Sequence, residues 1–182
     1  RIFECLEKQL RIPVPNTLVC CNPITFIPPV TASDYPQRKD CFIIGMFAAL
    51  DIGRKAQDVL IKAFATGTQW RNRNWELHLY GAGKDEALLQ ELIFSKGLKE
   101  KIFLKGHTKD MQAALLSCHL VMQTTKIDAM PISVVEAMAM ARPCVVSNVG
   151  DMAVWVKHNE NGFVCENITE TALAAMLETI WE

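Results

Sequence analysis

The stretch 127–140, IDAMPISVVEAMAM, holds two carboxylates, Asp128 and Glu136, with seven residues between them and a proline in the interval. Pro131 fits the first position of a helix, where its missing N–H costs nothing. The free N–H groups just beyond it then point out of the fold, and the helix dipole favours an anion such as a phosphate there. Asp128 falls just outside that helix, either at a ligand or as a plain turn residue. Glu136 falls within the first two turns among Ile132, Val134, Val135, Ala137, Met138 and Ala139. An acid in such company is paired, solvated at a helix edge, or reserved for a ligand hydroxyl.

A second candidate is YGAGKDE, where Gly81 and Gly83 lie between an apolar run and a helical pattern. The pair allows backbone to approach an anion closely, or simply supplies a tight strand-to-helix turn. The third glycine and the acid of a dinucleotide fingerprint are missing.

These residues are spaced along a chain of alternating elements. Strand-like runs CFIIGMFA, WELHLYG, KIFLKG, HLVMQT and PCVVSN alternate with helical patterns near 55–67, 84–96, 109–117, 131–141 and 169–181. That alternation implies parallel strands joined by right-handed helical crossovers, a doubly wound α/β sheet. The segment NGFVCE follows an Asn-Gly turn and is expected to add an edge strand. Ligands of such folds bind outside the carboxyl ends of the strands, so the loops after 48, 80, 105, 124 and 147 are the places for chemistry.

Bulk properties narrow the partners. With 19 basic and 20 acidic residues the formal net charge is −1, which argues for small molecules and against nucleic acid. Half of the 182 residues are hydrophobic, enough for one substantial core. The seven cysteines include no C-x-x-C pair and lie mostly in apolar runs, as reduced core residues of a cytosolic protein do. No apolar run is long enough for a membrane span, and the N-terminus lacks the order of a signal peptide.

The segment DAMPISVVEAMAMARPCVVSNVGDMAVWVKHNENGFV resembles the signature of the retaining glycosyltransferases of family 4, also called glycosyltransferases group 1. GRKAQDVLIKAF, LHLYGAG and IFLKGHTKDM resemble further family segments in the family's order, so the likeness covers about residues 41–182. It implies the C-terminal, donor-binding half of a two-domain GT-B enzyme with a Rossmann-like fold. Residues 1–40 would be the end of the N-terminal domain and a linker.

Carried over position by position, the resemblance implies that Asp128 faces the donor sugar and Glu136 bonds the ribose hydroxyls. Lys55 would neutralise the departing diphosphate, which rests near Ala129, Met130, Pro131 and Ile132. The backbone at His107 and Thr108 would contact the base, beside Gly81 and Gly83. The partners implied are a nucleotide-sugar donor and a hydroxyl acceptor on a sugar, a lipid-linked glycan or a polysaccharide. The acceptor would be held by the other half, in a cytoplasmic enzyme that can sit peripherally at the membrane. No cofactor or metal is implied, and the sequence contains no D-x-D.

The chain departs from the family pattern at several positions. The family arginine six places before Lys55 falls on Ala49, leaving Arg54 as a substitute cation. Pattern glycines appear as Ala56, Ala129 and Ala141, an acid as Val154, and Asp128 is one methylene shorter than the usual glutamate. These departures keep two alternatives in play: a non-catalytic GT-B-like binding module, and a nucleotide-sugar epimerase of the same architecture.

Overall fold

A computed structural model describes residues 23–28, 35–36, 41–67 and 70–181. Six strands, β1 (Phe42–Phe47), β2 (Trp75–Tyr80), β3 (Ile102–Gly106), β4 (Leu120–Gln123), β5 (Cys144–Ser147) and β6 (Gly162–Cys165), form one sheet in the order β3-β2-β1-β4-β5-β6. Every neighbouring pair is parallel, as the strand–helix alternation requires. NGFVCE supplies the edge strand β6. The direction of winding reverses between β1 and β4, which is the switch point of the sheet.

The helices are α1 (Ile52–Lys55), α2 (Gln57–Thr66), α3 (Glu86–Ser95), α4 (Met111–Ser117), α5 (Ile132–Ala139), α6 (Met152–Trp155) and α7 (Glu170–Trp181). One core layer joins Ile44, Met46, Leu77 and Leu79 to Leu60, Phe64, Leu89, Ile93, Leu173 and Leu177 of α2, α3 and α7. The other joins Phe47, Val121 and Val146 to Leu115, Val134 and Ala137 of α4 and α5. Helices on both faces explain why the strands read as nearly continuous apolar runs.

The helix expected over 55–67 is in fact two, broken at Ala56, whose φ of 53° is left-handed. The break releases the carbonyl of Arg54, which accepts from Thr125 Oγ1 at 2.7 Å and from Lys126 N–H at 2.7 Å. The end of α1 is thereby tied to the segment leading to Asp128. The short α6 and the 3₁₀ turn Trp70–Asn72 have no counterpart in the sequence expectation.

Ala141 is also left-handed, at φ 54°. Its N–H bonds Met138 O at 3.0 Å and the N–H of Arg142 bonds Ala137 O at 2.9 Å, the two bonds of a Schellman motif that ends α5. Ala141 is exposed, whereas the Ala56 methyl is fully buried. Ala141→Gly is expected to stabilise the chain by about 1 kcal/mol through relief of the left-handed alanine. Ala56→Gly is expected to be near neutral, because lost methyl burial offsets the same relief. Urea unfolding of the two variants checks both.

Among the described cysteines, Cys118, Cys144 and Cys165 are buried, Cys41 is half-buried, and none forms a disulfide. Burial pushes the Cys118 thiol up to about 11 and that of Cys144 up to about 12, so both stay protonated and inert near neutrality. Cys5, Cys20 and Cys21 lie outside the described residues, as do most of residues 1–40. No helix among the described residues is long and apolar enough to cross a membrane.

Candidate functional site

At the carboxyl edge of the sheet a cleft of about 360 Å³ opens between the ends of β1, β2 and β3 and the first turns of α5. Its lining brings together Gly81, His107, Thr108 and Glu136, which are far apart in sequence. A larger cavity of about 600 Å³ lies at the opposite edge, around Ala141–Pro143 and Asn159–Phe163. The smaller cleft is the better candidate, because open α/β sheets bind ligands outside the carboxyl ends of their strands, at the switch point.

Glu136 is 3 % exposed and reaches the cleft from α5. Its Oε1 accepts from the Thr25 backbone N–H at 3.1 Å and from the Thr25 hydroxyl. Its Oε2 makes no hydrogen bond to the described residues. No basic side chain among the described residues forms an ion pair with Glu136. A nearly buried carboxylate with one free oxygen on a cleft is an acceptor awaiting a donor.

Pro131 stands one place earlier than expected. Its ψ of 128° is extended, so it caps α5 and the helix begins at Ile132. The first-turn N–H groups without an intrahelical acceptor are therefore those of Ile132 and Ser133, while Val134 N–H closes onto Pro131 O at 3.1 Å. Met130 packs partly against the core and Ile132 is exposed. Ser133, nine-tenths buried, lines the cleft.

Beside the start of α5, Lys55 Nζ and Asp128 Oδ2 form an ion pair, with side chains 12 % and 17 % exposed. Asp128 Oδ1 also accepts from Ala129 N–H at 2.9 Å. Asp128 is thus a partner of the cation carried by α1 as well as a turn residue. Arg54 is exposed and its guanidinium makes no ion pair among the described residues. Ala129 does not have a positive φ. The close approach there belongs to Gly150, where a Cβ would come within 2.0 Å of Ala129 O.

The G-x-G segment serves the fold more than an anion. Gly81 N–H donates to Gly106 O at 2.8 Å, and α3 begins only at Glu86. A Cβ on Gly81 would meet Ala48 O at 2.1 Å, and one on Gly83 would meet Leu50 O at 2.3 Å. The glycines let the β1–α1 and β2–α3 loops cross, and Asp85 Oδ2 locks the crossing by accepting from Ile52 N–H at 2.9 Å. Gly81 still lines the cleft; Gly83 does not.

Sequence reasoning did not single out Thr25, Phe47, Tyr80, Met111 or Ser133, all of which line the cleft. Phe47 and Tyr80 end adjacent strands in register and stack at 4.6 Å with their planes 3° apart. Burial pushes the Tyr80 phenol above its ordinary value, so this wall is uncharged. Aromatics closing β1 and β2 were a usable signal, since strand ends were already the expected place for chemistry. His107 is exposed, and Thr108 Oγ1 accepts from Asp110 N–H at 3.2 Å in the turn that starts α4. Among the described residues no group of three or more His, Cys, Asp or Glu side chains is placed to hold a metal ion.

A parallel, Rossmann-like sheet with its cleft at the switch point is the architecture of one half of a GT-B glycosyltransferase. The chain belongs to the family described as glycosyl transferases group 1, whose model matches residues 40–182. It is 31% identical over 93 residues to the poly(ribitol-phosphate) alpha-N-acetylglucosaminyltransferase of Staphylococcus aureus, a match covering 50% of this chain and 19% of that protein. It is 26% identical over 160 residues to an uncharacterized glycosyltransferase of Haemophilus influenzae, covering 85% of this chain and 43% of that one. The chain spans less than half the length of these relatives.

Among solved structures, Anabaena HepE in complex with UDP and glucose superposes with a TM-score of 0.69 at 26% identity, covering 79% of this chain and 39% of HepE. TarM of S. aureus superposes with a TM-score of 0.78 over 97% of this chain and 35% of TarM. Its 24% identity bears on the fold alone.

Proposed function

We propose that the chain is the donor-binding half of a retaining glycosyltransferase, which moves a sugar from a nucleotide-diphosphate sugar to a hydroxyl acceptor in glycan or polysaccharide assembly. The observation that carries this reading is the Oε2 of nearly buried Glu136, bonded by none of the described residues, on a cleft shared with Gly81, His107 and Thr108. A ribose diol donating to that carboxylate places the base toward His107 and Thr108, between the β3–α4 loop and the Phe47–Tyr80 wall. Uracil is the proposed base, supported by the UDP complex of HepE.

The diphosphate then lies over the N–H groups of Ile132 and Ser133, within reach of Lys55, with Arg54 as a second cation and no metal required. In the transfer step the bond from the anomeric carbon to the diphosphate oxygen breaks. The acceptor oxygen bonds that carbon from the same face, and its proton passes to the departing phosphate oxygen. Asp128, released from Lys55 as the diphosphate takes over the cation, faces the donor sugar. The acceptor is held by protein outside this chain. Ile127 and Ile132 are exposed apolar residues beside the ion pair, a rim suited to a second body closing over the donor. We place the whole enzyme in the cytoplasm, at the inner membrane face where lipid-linked acceptors are presented.

Calorimetric titration with UDP, GDP, ADP and CMP tests the reading. UDP is expected to bind alone or at least about tenfold more tightly than the others, a difference of one good base contact. A second reading, a binding module without transfer activity, draws on Ala49 standing in place of a cation and on the engagement of Lys55 by Asp128. Absence of binding to all four nucleotides by the folded chain would favour it.

A further inference from the structure

We infer that Thr25 is a positioning residue of the donor site: by clamping one oxygen of Glu136 it fixes the direction in which the other meets the ribose hydroxyls. The inference rests on the donor-site reading above and extends the site to a segment well before the α/β domain. Residues 23–28 lie against the domain through Phe26, which packs on the core layer under α4 and α5, while the next residue, Ile27, is 91% exposed. That anchor brings Thr25 to the cleft wall, where it contributes to the lining.

Both donors of Thr25, its backbone N–H and its hydroxyl, go to Oε1 of Glu136 and neither goes to Oε2. A carboxylate rotates easily about its last side-chain bond unless something holds it. Among the described residues no other group bonds the Glu136 carboxylate and no cation is paired with it. Thr25 therefore sets the plane of the carboxylate. Two donors also offset part of the cost of keeping an ionised group almost wholly buried. With Oε1 saturated, Oε2 alone is presented to the cleft, with its lone pairs in one fixed arrangement. A site of that kind reads a vicinal diol and penalises the loss of one hydroxyl, because the remaining acceptor position is then left unpaired.

The test uses the 182-residue chain as wild type, Thr25→Val and Thr25→Ser, titrated with UDP and with 2′-deoxy-UDP. Wild type is expected to prefer UDP by about tenfold, the scale of one charge-assisted hydrogen bond. Thr25→Val keeps the shape and the N–H but removes the hydroxyl. It is expected to weaken UDP about fivefold and to shrink the preference to about twofold, while Thr25→Ser restores both. A purely structural Thr25 would move the unfolding midpoint and leave the preference for the 2′-hydroxyl alone.

Wild-type binding with Thr25→Val unchanged in affinity and preference overturns the inference and spares the donor-site reading. Tighter binding of UDP by Thr25→Val also overturns it, since Thr25 would then be competing with ribose for the carboxylate. No binding of UDP by wild type overturns the donor-site reading and this inference with it.

Discussion

Glu136→Ala is expected to weaken UDP by about 30-fold or more, because the ribose loses charge-assisted bonds of about 1.5–3 kcal/mol each. The midpoint of thermal unfolding should barely move. Two bonds from Thr25 are lost, but so is the cost of burying a carboxylate that no described cation pairs with, and the two effects oppose one another. Uridine should lose affinity in the same proportion as UDP, since the residue acts on the nucleoside. Glu136→Gln keeps the volume and should fall between wild type and alanine. A drop in stability with unaltered binding would assign Glu136 to the fold and leave the cleft without its acceptor.

Lys55→Ala separates the phosphates from the nucleoside. An ammonium about 4 Å from a diphosphate contributes up to about 4 kcal/mol at the effective dielectric of a protein surface, and partial exposure reduces that. Removing Lys55 also strips Asp128 of its partner and leaves a carboxylate facing the diphosphate. UDP is therefore expected to weaken by about 10–100-fold and uridine by less than about twofold, with the difference shrinking as salt is added. Asp128→Asn should do the reverse, tightening UDP modestly by freeing the lysine. Equal losses for UDP and uridine in Lys55→Ala would remove the phosphate role and with it the reason for the Lys55–Asp128 pairing.

Both predictions start from residues that the sequence singled out, and the way it did so shows its reach. Alternation of apolar and helical runs was enough for the parallel sheet, since each run could bury itself only by crossing back over its predecessor. It also put Gly81, His107, Thr108 and Glu136 at strand ends or in the helix that follows one, and those positions meet in the cleft. Element boundaries were less legible. Ala56 breaks a helix by adopting a left-handed conformation that alanine does not advertise, and it does so because Arg54 O is wanted by Thr125 and Lys126. Gly81 and Gly83 left a tight turn and a ligand-facing backbone both open; in the fold their bare Cα atoms make room for the carbonyls of Ala48 and Leu50, and Gly81 also lines the cleft.

The sequence by itself determined the architecture, the family and the edge of the sheet where the cleft opens, with four of its lining residues, because periodicity and motif order are local and survive without coordinates. The pairings were decided only by tertiary structure. Lys55 meets Asp128 across 73 positions and Thr25 meets Glu136 across 111. Neither contact follows from spacing, since one depends on how α1 and the segment before α5 converge at the switch point and the other on where residues 23–28 pack against the domain. Whether an acid is paired, clamped or free is a property of that convergence. A charge or hydroxyl arriving from elsewhere in the chain changes a side chain's role without changing its type.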